Sequence, residues 1–137
     1  MNRYKFFSSA KYNGISNAQL EAHVKKHYQS HIQGTTVINA DKGITIYFNR
    51  TGKKKSTASL TRQKSIALLH VRELLEVARF KNFGLPKQKH ISKHKALGFL
   101  NFHVKFFLDG KLVSYRIPVM ITPNGKFQYD FHEAQKK

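Results

Sequence analysis

Cysteine is absent from this chain, and acidic residues are scarce. The 137 residues include no Cys and only 7 Asp and Glu, and no apolar run approaches the length of a membrane-spanning helix. The missing cysteines exclude disulfides and thiolate metal sites, and they fit a reducing compartment. Because the first ten residues contain no apolar signal-peptide core, we expect a cytoplasmic protein.

The scarcity of acidic residues leaves the chain strongly basic. Lys and Arg total 25, the formal net charge at pH 7 is +18, and the isoelectric point is about 10.3. Such a charge attracts polyanions and makes their binding depend strongly on salt. We therefore expect nucleic acid as the partner and no membrane, although the charge alone also fits an anionic membrane surface or an acidic protein.

The length predicts one domain, residues 1–137, in which residues 1–33 form an N-terminal helical extension. Ser16 and Gln19 make a capping-box pattern that opens the first helix. Apolar spacing and turn residues predict the other elements. In chain order the predictions are helix Asn17–Gln33, strand Gly43–Asn49, helix Thr61–Phe80, a basic loop Lys81–Lys95, and strands Leu100–Leu108, Leu112–Ile121 and Phe127–His132. The predicted fold class is α+β, with N-terminal helices packed on one face of an antiparallel sheet of about four strands ending in a three-stranded meander.

Polar and apolar side chains alternate along the last three predicted strands. Hairpin pairing of these strands brings the polar set to one face of the sheet. The set is Asn101, His103, Lys105, Ser114, Arg116, Gln128, Asp130 and His132. Two histidines, a lysine, an arginine and an aspartate make this face the candidate site.

The first predicted hairpin fixes part of the register of this face. A two-residue turn at Asp109-Gly110 places His103 opposite Arg116 and Lys105 opposite Ser114. A slip by one residue would turn the apolar side chains toward water, so the register is well specified.

The second predicted hairpin adds the third strand. A three-residue loop with Gly125 in the left-handed bulge position places Asp130 opposite Pro118 and His132 opposite Arg116. Because Pro118 removes a ladder hydrogen bond, a bulge or frayed pairing is expected there.

This arrangement suits cleavage of RNA by transesterification without a metal or other cofactor. His103 and His132 are the candidate general base and acid, since the pKa of histidine lies near operating pH. Arg116 and Lys105 would stabilise the charged phosphorane, with Asp130 nearby. The attack by a 2′-hydroxyl favours RNA over DNA. An ordinary solvated sheet face and a phosphate site without catalysis remain open as alternatives.

Two basic loops are candidate nucleic-acid contacts, with a solvated basic loop as the alternative. The first lies between a strand and a helix, whose first N–H groups favour phosphate. The contacts are Lys53, Lys54, Lys55 and Ser56 in the first loop, and Lys87, Lys89, Lys93 and Lys95 in the second.

Histidines and aromatic residues in the helical part have several interpretations. His23, His27 and His31 recur at i, i+4 and i+8 and line one helix flank. Such a pair can chelate zinc, but the helix lacks the Glu of a zincin, so we favour a structural or nucleic-acid-facing flank. His70 is predicted to pack at the edge of the second helix's core face. Some of the N-terminal aromatic residues are expected to fill the core, with base stacking as the alternative.

From about Gly43 to Glu133 the chain resembles a known family. The similarity rests on GITIYFNRTGKKKSTAS, LLHVRELLEVA and FHVKFFLDGKLVSYRIPVMITPNGKFQYD. These segments resemble small domains of large polyvalent proteins in phages and conjugative elements, within the barnase–EndoU–colicin–RelE nuclease-like superfold. The resemblance implies a helical part packed on an antiparallel sheet, with RNA cut on the opposite sheet face. It assigns site roles to Lys54, Ser56, His103, Arg116 and His132, and the chain departs from the pattern because that face offers no glutamate.

We therefore expect a basic nucleic-acid-binding protein of a phage or mobile element, acting as a metal-independent endoribonuclease in the cytoplasm of a bacterial host. The alternative is a non-catalytic basic module, such as a phage DNA- or RNA-binding protein or an inhibitor of a host nucleic-acid enzyme. A virion protein that coats nucleic acid is less favoured because the polar face is chemically mixed. A protein partner is left unspecified.

Overall fold

Three helices and eight strands make up the part of the chain that the structure, a computed structural model, describes: residues 4–49, 61–85, 97–129 and the backbone of 133–134. In chain order they are β1 (Lys5–Phe7), a 3-10 turn (Ala10–Tyr12), α1 (Asn17–His27) continued by a π-helical turn (Tyr28–Ile32), β2 (Thr36–Ile38), β3 (Thr45–Tyr47), α2 (Arg62–Leu69), α3 (Val71–Val77), β4 (Arg79–Gly84), β5 (Gly98–Leu108), β6 (Lys111–Ile121), β7 (Phe127–Tyr129) and β8 (Glu133–Ala134).

The strands form one mixed sheet in the order β1-β5-β6-β7-β3-β2. β4 pairs with the same edge of β5 as β1 does, and β8 pairs with the same edge of β6 as β7 does. The α+β class is confirmed, but the expected antiparallel sheet of about four strands ending in a meander is wrong. β1 pairs with β5 in parallel, as β3 does with β7, and β8 follows the meander. The two parallel pairings join segments that are distant in sequence, whereas a hairpin turn predicts only the pairing of the two strands that it connects.

The β5–β6 hairpin has the predicted register. His103 pairs with Arg116, and Lys105 pairs with Ser114. The turn between the strands has positive φ at both central residues, 52° at Asp109 and 80° at Gly110. A two-residue hairpin loop of this kind follows the twist of the strands, which is why the turn sets the register.

The third strand departs from the predicted register after its first residues. Val119 pairs with Tyr129 in β7, but Arg116 pairs with Glu133 in β8. The expected pairing of His132 with Arg116 is therefore wrong by one residue. The register changes by one residue between these two pairs, along the part of β6 that contains Pro118, a residue that cannot donate a ladder hydrogen bond.

The helices cover one face of the sheet and enclose the core with it. Alternate residues of β5, among them Phe102 and Phe106, are fully buried there, as are Tyr115 and Ile117 of β6. Leu20 and Val24 of α1 and the second half of α2 pack in the same cluster. The opposite face of the central strands therefore carries the polar side chains of the alternation.

The first helix begins where the capping box predicts. The Ser16 hydroxyl accepts from the Gln19 N–H at 3.1 Å, and the Gln19 side chain accepts from the Ser16 N–H at 2.9 Å. The helix widens into a π-helical turn at Tyr28 and ends before Gly34, whose φ of +83° suits glycine. However, the N-terminal part is not wholly helical, because Lys5–Phe7 forms β1.

The predicted helix Thr61–Phe80 is two shorter helices. It breaks at His70, whose φ of −111° and ψ of 17° are not helical, and α3 ends at Val77. Arg79 and Phe80 already belong to β4, which extends the sheet at the edge of β5. A distant loop ends α3, because the buried Asn39 side chain donates to the last carbonyl groups of the helix.

Candidate nucleic-acid interface

The sheet face turned away from the helices is called the open face here. Antiparallel partners place their side chains on the same side of a sheet, so register defines its members. Its exposed and half-buried members include Asn101, His103, Lys105 and Phe107 of β5, Leu112, Ser114 and Arg116 of β6, Gln128 of β7, Phe6 of β1 and Arg79 of β4. At the other end of these strands the same face carries Phe99, Pro118 and Met120, which are buried. Lys105 and Leu112 are exposed, and His103 and Arg116 are half-buried.

Three basic residues lie in a row across the open face. His103 pairs with Arg116 on one side and with Arg79 on the other, so β4, β5 and β6 each contribute one member. Neighbouring strands lie about 4.8 Å apart, which makes the row roughly 10 Å long. Lys105 is the next residue of this face along β5. This concentration of positive charge suits the phosphate oxygens of a nucleic acid.

Arg79 is a site residue that the sequence did not reveal, because the helical pattern extended over it. Its side chain is 71% exposed, and its Nε lies 3.7 Å from a carboxylate oxygen of Asp41. The other carboxylate oxygen of Asp41 accepts from the Phe80 N–H at 2.8 Å. Asp41 thus fixes the start of β4 through the Phe80 N–H and offsets part of the positive charge of Arg79, while the backbone register places Arg79 next to His103.

One end of the open face is aromatic. The Phe6 and Phe107 rings stack with centroids 4.8 Å apart and an angle of 8° between their planes. Tyr4 lies near Phe107 at 6.0 Å between ring centroids. We call Tyr4, Phe6 and Phe107 the aromatic end. The expectation that N-terminal aromatic residues fill the core holds for Phe7, which packs on Phe106, but not for Phe6, which is 74% exposed.

Three of the five expected catalytic residues, His103, Lys105 and Arg116, lie together on the open face. The other two and the expected phosphate contacts lie outside the described residues. They are Asp130, His132, Lys53, Lys54, Lys55, Ser56, Lys87, Lys89, Lys93 and Lys95. The backbone register places Glu133 at the position opposite Arg116 where His132 was expected.

The three histidines of the first helix do line one flank. Their ring centroids are 6.3 Å apart for His23 and His27 and 5.0 Å apart for His27 and His31. Partial burial, with the nearby His31, His23 and His70, lowers the pKa of His27 below its ordinary value of 6.5. Among the described residues no group of three His, Asp or Glu side chains could hold a metal ion.

A cavity of about 360 Å³ lies beside this flank, on the helix side of the molecule. It is lined by His27, His31, Ile32, Leu69, His70, Arg72 and Glu73. His70 packs as expected, since its ring stacks on Phe7 at 4.0 Å and its Nδ1 lies 3.3 Å from a Glu73 carboxylate oxygen. Arg72 donates to the Thr36 carbonyl at 3.1 Å, so much of this lining is committed to internal contacts.

No helix within the described ranges is long and apolar enough to cross a membrane. Comparison with known proteins then gives one positive result. The family model of large polyvalent protein-associated domain 3 matches residues 15–129, from the helix cap before α1 to the end of β7. No curated protein and no solved structure gives a significant match. Because the matched part includes α1, the similarity reaches further toward the N-terminus than the segment from Gly43 suggested. The chain belongs to the large polyvalent protein-associated domain 3 family.

Proposed function

We propose that this chain binds nucleic acid through the open face of its sheet. The observation that carries the proposal is the row of Arg79, His103 and Arg116 across three adjacent strands, with Lys105 beside it. The β5–β6 hairpin holds the backbones of His103 and Arg116 in register, which lowers the ordering cost of binding a backbone phosphate. The net charge of +18 supplies the long-range attraction that brings a polyanion to this face.

Membership in a family named for large polyvalent proteins supports a phage or mobile-element origin. In that setting the domain would act in the cytoplasm of a bacterial host, on nucleic acid of the element or of the host. RNA is favoured over DNA because the second candidate function, RNA cleavage, needs a 2′-hydroxyl.

The second candidate function is metal-independent cleavage of RNA on the same face. It is favoured by the position of His103, a proton-transfer group flanked on both sides by arginine in the backbone register. His103 would exchange a proton with the 2′-hydroxyl or the leaving oxygen, and Arg116 and Lys105 would stabilise the phosphorane. In this proposal His132 would be the second proton-transfer group, with Asp130 nearby. The domain would then have a nuclease-like superfold.

Salt titration of binding tests the primary proposal. Fluorescence anisotropy with labelled RNA and DNA oligonucleotides would follow wild type and the variants Arg79→Gln, Lys105→Gln and Arg116→Gln. Each lost phosphate contact lowers the slope of log affinity against log salt by about 0.7 for a single strand and 0.9 for a duplex. The matched control is Lys25→Gln, a partly exposed lysine of α1 in the helix layer. The proposal fails if a variant that carries all three substitutions keeps the affinity and slope of wild type, or if Lys25→Gln weakens binding as much as one of the three single substitutions.

A cleavage assay decides between the two candidate functions. Labelled RNA is incubated with the protein in EDTA, alongside the His103→Ala variant. Products that are absent with the variant support the nuclease. Binding without any products leaves the chain a non-catalytic module, and cleavage retained by His103→Ala removes His103 from the mechanism.

A further inference from the structure

We propose that the aromatic end of the open face stacks unpaired bases, so that the nucleic acid bound by this chain is single-stranded. The inference rests on the proposed function and names its substrate class. It begins from Phe6, whose ring is 74% exposed although the backbone around it is held in place.

The strand that carries Phe6 is anchored at the tip of the central hairpin. Asp109 donates its N–H to the Phe7 carbonyl at 3.0 Å, and its side chain accepts from the Ser9 N–H at 2.8 Å. The hydrogen bonds from Ser9 also lower the pKa of the Asp109 carboxyl. These contacts hold β1 parallel to β5, which places Phe6 directly beside Phe107.

Core packing does not account for Phe6. The next residue, Phe7, turns to the helix side, where it stacks on His70 and meets the edge of the Phe106 ring. Phe6 contacts Phe107 on the opposite side of the sheet, and Leu112, which pairs with Phe107, is also 47% exposed. A contiguous exposed apolar surface of this kind marks a binding site more often than scattered apolar residues do.

The neighbouring charges identify the occupant. Lys105 is two residues from Phe107 on the same face of β5, about 6.6 Å along the strand, and His103 is two residues further. A strand of nucleic acid lying along β5 would place phosphates at Lys105 and the basic row while its bases reach the aromatic end. Stacked aromatic rings beside a cationic groove bind bases of any sequence, because every base has a π-face.

Pairing of the nucleic acid determines whether this contact can form. In a duplex both faces of each base are covered by neighbouring bases, so a base must leave the stack before it can meet Phe6. An unpaired strand offers its bases without that cost. An apolar protein surface would also fit the aromatic rings but not the adjacent positive charge.

Binding to four probes tests the inference: a labelled single-stranded RNA, a DNA strand of the same sequence, the matching duplex, and an abasic strand of equal charge. We expect Phe6→Ala to weaken binding to either single strand by about 5- to 150-fold. The affinity of Phe6→Ala for the duplex and for the abasic strand should stay within about twofold of wild type, because these two probes bind through their charge and not through stacked bases. Phe6→Tyr keeps the stacking surface and restores binding, whereas Phe6→Leu does not.

The matched control is Phe83→Ala. Phe83 is 53% exposed and pairs with Leu100, a residue that packs on the helix-side core, so it is an exposed phenylalanine on the other face of the sheet. This variant keeps single-strand affinity. Circular dichroism verifies that each variant is folded.

The outcomes separate this inference from the proposed function. If the basic-row variants lose binding but Phe6→Ala loses none, or loses it equally for the abasic strand, stacking is refuted and nucleic-acid binding stands. If no probe binds, both fail. If Phe6→Ala changes only the molecular mass measured by light scattering, the aromatic end is a contact between copies of the chain, and the stacking inference is overturned.

Discussion

Replacing Asn39 by alanine is expected to destabilise the protein far more than replacing a surface asparagine. Asn39 is fully buried between β2 and β3, and its side-chain amide donates to the Leu75 carbonyl at 2.7 Å and to the Ala78 carbonyl at 2.8 Å. Its side-chain oxygen accepts from the Lys42 N–H at 2.9 Å. The Asn39 side chain therefore binds carbonyl groups at the end of α3, and it also closes the loop between β2 and β3.

The size of the effect follows from these three hydrogen bonds. Each contributes about 1 kcal/mol net, and a buried group left without a partner loses at least that much. Asn39→Ala should thus reduce the free energy of unfolding by about 3 kcal/mol. For a chain of this length the entropy of unfolding converts this loss into a fall of about 10 °C in Tm.

Urea denaturation followed by circular dichroism measures this loss. The matched control is Asn13→Ala, since Asn13 is exposed and follows a 3-10 turn at the surface. We expect a lower midpoint with an unchanged m-value for Asn39→Ala and a change below about 0.5 kcal/mol for the control. Equal midpoints for the two variants would refute the view that this loop ends α3.

Three further predictions concern other parts of the structure. The pKa of His27 is lowered in the folded state, so the unfolded chain binds the proton more readily and the free energy of unfolding falls as pH drops below about 6.5. Between about pH 7.5 and pH 5 the Tm of His27→Gln should therefore fall less than the Tm of wild type. An equal fall in both proteins would contradict this account. The Arg62 guanidinium donates to three oxygens of residues 12–17, and the single ammonium of a lysine cannot reach the same set. In urea denaturation Arg62→Lys should therefore lose about 2 kcal/mol of the free energy of unfolding, close to the loss in Arg62→Ala. A Cβ on Gly98 would lie 2.5 Å from the ring of the exposed Phe83, which can move, and 3.1 Å from the Gly84 carbonyl oxygen, so Gly98→Ala should lose about 1 kcal/mol in wild type but less in a Phe83→Ala background. Additive losses in that double-mutant cycle would show that the ring is not the obstacle.

The sequence predicted the elements whose signals are local. Ser16 and Gln19 mark a helix start, and Asp109-Gly110 fixes the pairing of His103 with Arg116, because turn chemistry and side-chain alternation act over a few residues. These two rules together placed the central basic pair on the correct face.

The remaining features depend on contacts between distant segments. The helical pattern of residues 61–80 continues past Val77, but the loop at Asn39 and Asp41 ends α3 and starts β4. Arg79 therefore joins the basic row through contacts that no local pattern encodes. Likewise, β1 pairs in parallel with a strand about a hundred residues away, so the neighbour of Phe6 could not be predicted.

The shared edge of β5 has a consequence for how this domain can be shortened or tagged. β4 covers the part from Phe99 to His103, and β1, only three residues long, covers Phe106–Leu108. A chain that began after Phe7 would leave the backbone N–H and C=O groups of that second part open on a long strand. Open edges of this kind pair with strands of other chains, so such a truncation favours aggregation or strand exchange. The family match begins at residue 15, and a domain cut at that boundary would lack the segment that protects this edge.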